Sequence, residues 1–234
     1  MDLNEQYWSH ADSVEEFSQK KPEDFFKSEV HFLNLIKGGV RRVLDVGCAS
    51  GRLIELMKML CQRVSYTGID ITEDSIEQGC VLYPHARFIL GNALNVELNE
   101  TFDLVYSIGV FQHVPYYERL LNRMVEWSAR YILFDVKAAA VSEPIVDLDR
   151  SYCKHEGDKN YFVILNWPQF RRQVLSLPDV TRISAWGYET SINQATRVPQ
   201  DVLPIYSITL LLETGDSRNH TEVDEDVPLV LCEP

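Results

Sequence analysis

An α/β fold on a doubly wound, mostly parallel sheet is predicted by three features of this sequence. Strand-like and helix-like segments alternate from residue 41 to residue 136. The first strand runs into a turn of small residues, Gly47-Cys48-Ala49-Ser50-Gly51, that opens a helix. Two further strand-like segments end the pattern across a connector too short for a helical crossover. Alternating β and α segments demand right-handed crossovers and hence parallel strands, whereas the short connector favours an antiparallel pair.

Taken in order, residues 1–38 read as helical and mostly polar. Phe25, Phe26, Val30, Phe32, Leu33 and Ile36 recur at helical spacing after Pro22, and Gly38-Gly39 stops the run. A strand at 41–46 leads through the glycine turn to a helix from Arg52 to Cys61, with Leu53, Ile54, Met57 and Leu60 on one face. A strand at 64–70, a helix at 73–82 with Thr72 as cap, and strands at 86–90 and 102–108 follow. Residues 116–129 place Tyr117, Leu120, Leu121, Met124 and Val125 at i, i+3, i+4, i+7 and i+8, an amphipathic helix leading to an apolar strand at 131–136. Residues 137–162 have no clean period. A helix near 166–177 is capped by Asn166 with Pro168 in its first turn. Strands at 183–189 and 203–213 close the pattern, giving seven in all, with Trp186 and Tyr188 alternating on one face as core residues. The acidic stretch 213–226 reads as a loop or loose tail.

Composition narrows the partners. Lys and Arg number 22 against 35 Asp and Glu, a formal net charge of -13, which repels polyanions and argues against nucleic acid. Arg41-Arg42 and Arg171-Arg172 are isolated pairs, read as solvated surface. No apolar run approaches a membrane span, and MDLNEQYWSH has no secretory character, so a cytoplasmic enzyme without a membrane partner is expected. Five cysteines (Cys48, Cys61, Cys80, Cys153, Cys232), an odd number without a C-x-x-C pair, argue against a disulfide framework and a structural zinc site. Oligomeric state is not legible.

The residues Val43 to Gly51 carry the most chemistry. Small residues let a ligand lie against the backbone, and Gly47 and Gly51 can adopt angles that a β-carbon forbids. The spacing G-x-x-x-G, with Asp45 ahead of it, departs from the dinucleotide fingerprint; an acid at the mouth suits an ammonium or sulfonium ligand better than a pyrophosphate. Asp70 ends the second strand, 19 residues after Gly51, where a carboxylate can accept from both hydroxyls of a ribose.

VLDVGCASGRL, then GID at 68–70, GNA at 91–93 and FDLVYSIGVFQHV at 102–114 resemble the ordered motifs of the class I S-adenosylmethionine-dependent methyltransferases. The likeness is close over about residues 40–136. It implies a Rossmann-like, seven-stranded sheet whose last strand is antiparallel, with S-adenosyl-L-methionine as cofactor. It implies a methyltransferase domain at 39–213, an N-terminal helical cap at 1–38, an acceptor-pocket insertion at 137–165 and an acidic tail at 214–234. Asp45 and Gly47 would hold the methionine end with the turn residues Cys48, Ala49 and Gly51, and Asp70 the ribose. Ile71 would pack on the adenine, Asn92 and Ala93 sit at its edge, and Ser107 beside the methionine moiety. Two positions depart from the family pattern: Ala49 stands where a third glycine is frequent, and Asn92 where aspartate is more usual.

For chemistry, methyl transfer needs alignment above all, because the donor is already activated. His113, in the loop after the fourth strand, is the candidate base, with packing as its alternative role. Tyr7, Trp8, His113, Tyr152 and His155, with Tyr161, are candidates for the acceptor pocket; Tyr7 and Trp8 resemble aromatics that cover the cofactor, or they pack an N-terminal helix. Asp135 alone is placed for a metal, and none is expected. The expected function is methylation of an oxygen or nitrogen of a small molecule, with a protein acceptor, or S-adenosylmethionine binding without turnover, as alternatives; an aminopropyl transferase on the same fold ranks below these.

Overall fold

The computed structural model describes residues 7–8, 25–60, 63–155, 157–215 and 222–231. Much of the expected 1–38 cap, part of the expected tail, Cys61 and Cys232 lie outside the described residues. Helix α1 (Lys27–Ile36) precedes the alternating body β1 (Arg42–Val46), α2 (Arg52–Met59), β2 (Ser65–Asp70), α3 (Glu73–Leu82), β3 (Arg87–Leu90), β4 (Phe102–Ser107), α4 (Tyr117–Trp127) and β5 (Ser128–Ala139). There follow β6 (Tyr152–His155), β7 (Asp158–Tyr161), β8 (Leu165–Asn166), α5 (Trp167–Leu175), β9 (Val180–Thr190), β10 (Thr196–Arg197), β11 (Ile205–Thr214) and β12 (Glu222–Asp226). Asn166 caps α5 as expected, its Oδ1 accepting the Gln169 N–H at 2.8 Å, with Pro168 in the first turn. Thr72 stands at the cap position of α3 without a capping bond from its side chain.

The main sheet has the order β12-β9-β11-β5-β4-β1-β2-β3, and β8 adds to β5. The seven predicted strands are β1 to β5, β9 and β11. Of these β11 alone runs antiparallel to both neighbours, pairing Ile208 with Val136 on one side and with Gly187 on the other. Two expectations are corrected. The acidic stretch read as a loop contributes β12, which pairs in parallel with β9 at the sheet edge. An edge strand needs no apolar face, and Glu225 of β12 is held by Arg171 Nε of α5 at 2.8 Å, so charge hid a strand. The aperiodic stretch after residue 136 builds, with β10, a small antiparallel sheet β10-β6-β7 whose strands are too short to show a period.

Period-2 alternation divides the core. Leu44 and Val46 of β1 face α4 and α5, where Leu121, Met124, Trp127 and Trp167 are fully enclosed. Val43 faces the other way, onto Leu33 and Ile36 of α1 and Leu53, Leu56 and Met57 of α2. A third cluster under the small sheet gathers Tyr7, Cys153, Phe162, Ile164 and Ile205. Trp186 packs at the α1 face, its ring 5.3 Å from that of His31.

Helix α1 is fastened to the sheet by a buried ion pair rather than by apolar contact alone. Glu29 is wholly enclosed; it accepts from Arg52 at 2.6 Å and from the Tyr106 hydroxyl, while Arg52 also donates to Tyr106 at 2.7 Å and lies over the Phe25 ring. Taking both charges out of water offsets most of their attraction, but deleting one leaves the other stranded. Glu29→Ala is therefore expected to lower the unfolding free energy by about 3–5 kcal/mol in urea, and a Glu29→Met, Arg52→Met double variant to recover most of it. Single and double losses of equal size would show that the pair is not desolvated.

Candidate ligand site at the carboxyl edge of the sheet

From β1 the sheet is extended in both directions, to β2 on one side and β4 on the other. The loops leaving β1 and β4 therefore diverge and open a crevice at the carboxyl edge, the place where such sheets bind ligands. The floor of that crevice is the turn after β1. The Gly47 and Cys48 N–H groups donate to the Ile69 carbonyl at 2.8 and 3.1 Å, and the Ala49 N–H donates to Asp70 Oδ2 at 2.8 Å. Asp70 Oδ1 accepts the Thr72 N–H at 2.9 Å. Gly47 (φ +74°) and Ala49 (φ +47°) occupy the left-handed region. A β-carbon on Gly47 would come within 2.3 Å of Val110 Cγ2, so this position excludes a side chain by space as well as by angle.

Above the turn lies a cavity of about 480 Å³. Of the ten predicted cofactor-site residues it brings together six: Gly47, Ala49, Asp70, Ile71, Asn92 and Ala93. Asp45, Cys48, Gly51 and Ser107 do not line it. The alternation of β1 sends Asp45 to the face opposite Val46, where its Oδ2 accepts from the Tyr66 hydroxyl at 2.7 Å. Cys48 packs on Gly68, Gly51 opens α2 beneath Tyr83, and the Ser107 hydroxyl donates to the Val46 carbonyl at 3.0 Å. Asn92 Oδ1 accepts the Leu94 N–H at 2.9 Å, closing the turn after β3.

Among the predicted acceptor-side residues, Trp8 and His113 line the cavity. Tyr7 is buried under the small sheet, and Tyr152 and His155 sit on β6 away from the lining; the small sheet reaches the cavity through Tyr161 of β7 instead. The sequence reading left Thr72, Ser75, Asn95, Tyr116 and Arg119 out of the site, although they line the cavity too. Ser75 and Arg119 lie in the first turns of the helices that follow β2 and β4, a position that marks them as near the carboxyl edge once those strands are placed. Asp135 is buried within β5, accepting the Gly109 N–H at 2.6 Å and pairing with Lys137 at 2.8 Å.

Burial sets the charge states. It pushes the Asp45 carboxyl up to about 7, against the opposing pull of the Tyr66 bond and of Arg52. It raises Asp70 as well, a shift opposed by the backbone bonds from Thr72 and Ala49. His113 is pushed down to about 4 by burial. Its Nδ1 lies 2.9 Å from the Tyr161 carbonyl, which only accepts, so the proton resides on Nδ1.

Residues 43–130 match the family described as a methyltransferase domain. The chain is 32% identical over 85 residues to trans-aconitate 2-methyltransferase of Rhodopseudomonas palustris (strain BisB18), covering 36% of this chain and 33% of that protein. It is 37% identical over 87 residues to the mitochondrial ubiquinone biosynthesis O-methyltransferase of Candida albicans, covering 34% and 26%. The aligned parts thus span about a third or less of these relatives. Its fold is that of magnesium protoporphyrin IX methyltransferase (ChlM) from Synechocystis PCC 6803, crystallised with bound SAM, at a TM-score of 0.57 and 15% identity, over 91% of this chain and 96% of that one. No helix among the described residues is long and apolar enough to cross a membrane.

Asp45 and His113 make opposite contributions to stability. Between the ordinary carboxylate value of roughly 4 and about 7, folded Asp45 holds a proton that the unfolded chain has lost, so its contribution falls as pH rises. Between about 4 and the ordinary histidine value of 6.5, the unfolded chain holds a proton that folded His113 lacks, so its contribution rises with pH. In thermal melts from pH 4 to 6.5, Asp45→Asn is expected to steepen the rise of Tm with pH relative to wild type, and His113→Gln to flatten or reverse it; parallel profiles would contradict both shifts. Ala49→Gly, which removes a left-handed alanine costing about 1–2 kcal/mol but adds unfolded-chain entropy, is expected to leave Tm unchanged or raise it by a few degrees. A drop would contradict the left-handed geometry.

Proposed function

We propose, from the premise that the chain belongs to the class I S-adenosylmethionine-dependent methyltransferases, that it methylates an oxygen or nitrogen of a small molecule with S-adenosyl-L-methionine as donor. The observation that carries this reading is the shared anchoring of the glycine turn and Asp70 on one cavity wall. A carboxylate offers about four lone-pair positions, and the Ala49 and Thr72 N–H groups engage one on each oxygen. The Thr72 hydroxyl and the Ile71 N–H also lie against this carboxylate, so a vicinal diol such as that of a ribose would bind by taking over the place of the Thr72 hydroxyl. The bare main chain at Gly47 and Ala49 fits an amino-acid moiety lying against it, and Ile71 and Ala93 offer apolar flanks for a purine, with Asn92 at its edge.

Bound there, the cofactor would supply an electrophilic methyl group on a sulfonium, the acceptor bonding to its carbon as the carbon–sulfur bond breaks and any acceptor proton passing to solvent. The chain's own work is to hold both molecules in line and exclude water. Asp45 and Ser107 serve from behind the wall, holding β1 to its neighbours through Tyr66 and the Val46 carbonyl. His113 orients rather than deprotonates: with its value near 4 it is a weak base at neutral pH. The small-molecule acceptor is supported by the net charge of -13 and by relatives named for trans-aconitate and for ubiquinone biosynthesis.

Calorimetry of the full chain with S-adenosylmethionine and S-adenosylhomocysteine is expected to show binding of both, weakened about tenfold or more in Asp70→Ala by loss of charge-assisted bonds. Melting curves on the same samples separate a lost contact from a lost fold. Undiminished affinity in a folded Asp70→Ala would remove Asp70 from the site and the cofactor reading with it.

A further inference from the structure

The cavity is chemically divided. Its ionised lining groups gather toward β2 and β3. Asp70 ends β2, two strands from β4, or roughly 10 Å at the usual interstrand spacing, and the Arg119 guanidinium donates to the Leu94 carbonyl at 2.9 Å, on the turn after β3. On the β4 side the lining includes Trp8, Ile108, Val110, His113, Val114 and Tyr161, and the rest of the loop up to Tyr116 adds no charged side chain. Trp8 meets the His113 ring edge to face, with centroids 5.0 Å apart. The nearby Lys137 ammonium is outside the lining and is already engaged by Asp135 at 2.8 Å and Ser207 at 2.9 Å.

His113 sets the polarity of this half. Because the Tyr161 carbonyl holds Nδ1–H, Nε2 carries the lone pair of a neutral imidazole and is an acceptor. No described residue bonds Nε2, and it is not among the sealed, unpartnered polar atoms, so its lone pair opens on the cavity that the ring lines. A carboxylate brought here would lose its water and meet an acceptor instead of a cation, which is costly. A planar ring would face aromatic walls at favourable geometry.

We propose that the β4 side of the cavity takes an uncharged, planar acceptor that offers a single donor, a phenol-type hydroxyl, to His113 Nε2. This deepens the methyltransferase reading and rests on it. It also separates the chain from its trans-aconitate relative, whose named substrate is a polycarboxylate.

The test titrates the full chain, saturated with S-adenosylhomocysteine, with 2-naphthol, its methyl ether and trans-aconitate, following tryptophan fluorescence and heat. We expect 2-naphthol to bind about tenfold more tightly than the ether, the order of one hydrogen bond, and trans-aconitate to bind at least tenfold more weakly than 2-naphthol. In His113→Phe, which keeps an aromatic wall, the preference for 2-naphthol over its ether should vanish; in His113→Gln, which restores an acceptor oxygen, it should return in part. The proposal is overturned if trans-aconitate binds as well as 2-naphthol, or if the preference survives in His113→Phe. Failure of S-adenosylhomocysteine to bind removes the methyltransferase reading and this one together. Binding of S-adenosylhomocysteine with neither aromatic bound removes the acceptor class alone.

Discussion

The Asp70 carboxylate and the Ile69 carbonyl, side by side at the end of β2, hold the turn that follows β1. Without these acceptors, nothing else described holds the Gly47, Cys48 and Ala49 N–H groups where the chain leaves the sheet. A left-handed alanine costs about 1–2 kcal/mol, and a charge-assisted bond from its own N–H is of comparable size, so the turn is stable because Asp70 is there. The consequences spread outward. The turn brings Gly47 against Val110, which positions the loop after β4. It also aims α2 so that Arg52 meets Glu29, which fastens α1 to the sheet. One carboxylate thus shapes the floor of the cavity and also lines it.

Buried polar groups flank this floor on both sides, and their placement explains why the chain tolerates their cost. On one face Asp45 with Tyr66, and Glu29 with Arg52 and Tyr106, form bonds across β1, β2, β4 and two helices. Beyond β4, Asp135 and Lys137 with Ser207 link β5 to β11, and Asp135 reaches forward to the Gly109 N–H. Apolar replacements of equal volume would stabilise such positions as well or better. Directional bonds, however, fix the loop after β4 and the turn after β1 relative to each other, and both line the cavity.

The sequence made the body of the fold legible because helices with an apolar face follow β1, β2 and β4, and because one short connector forced β9 and β11 antiparallel. Asp70 was legible because its distance from the glycine turn follows from one crossover. Asp45 was read as a ligand-facing acid because it adjoins the turn. Yet strand alternation puts it opposite Val46, and its partner Tyr66 appears only with the register that sets Asp45 beside Gly68 of β2. The acceptor side was harder. Tyr152, His155 and Tyr161 share an aperiodic stretch, and only the β6–β7 pairing decides that Tyr161 reaches the cavity. β12 escaped notice because Glu222–Asp226 reads as a solvated charge run, and its pairing rests on backbone bonds and on Arg171 rather than on an apolar face.

Neutrality at His113 has a physical logic in the proposed reaction. A sulfonium donor carries a positive charge, and in an enclosed site of low effective dielectric an imidazolium a few ångströms away would repel it by several kcal/mol. Burial, the first cause of the lowered value near 4, and the neighbouring Lys137 both disfavour that imidazolium, while the Tyr161 carbonyl chooses which nitrogen keeps the remaining proton. A residue tuned in this way is poorly suited to abstracting a proton. It is well suited to presenting a fixed lone pair beside a cation, where an acceptor hydroxyl can be held in line for attack without an added charge.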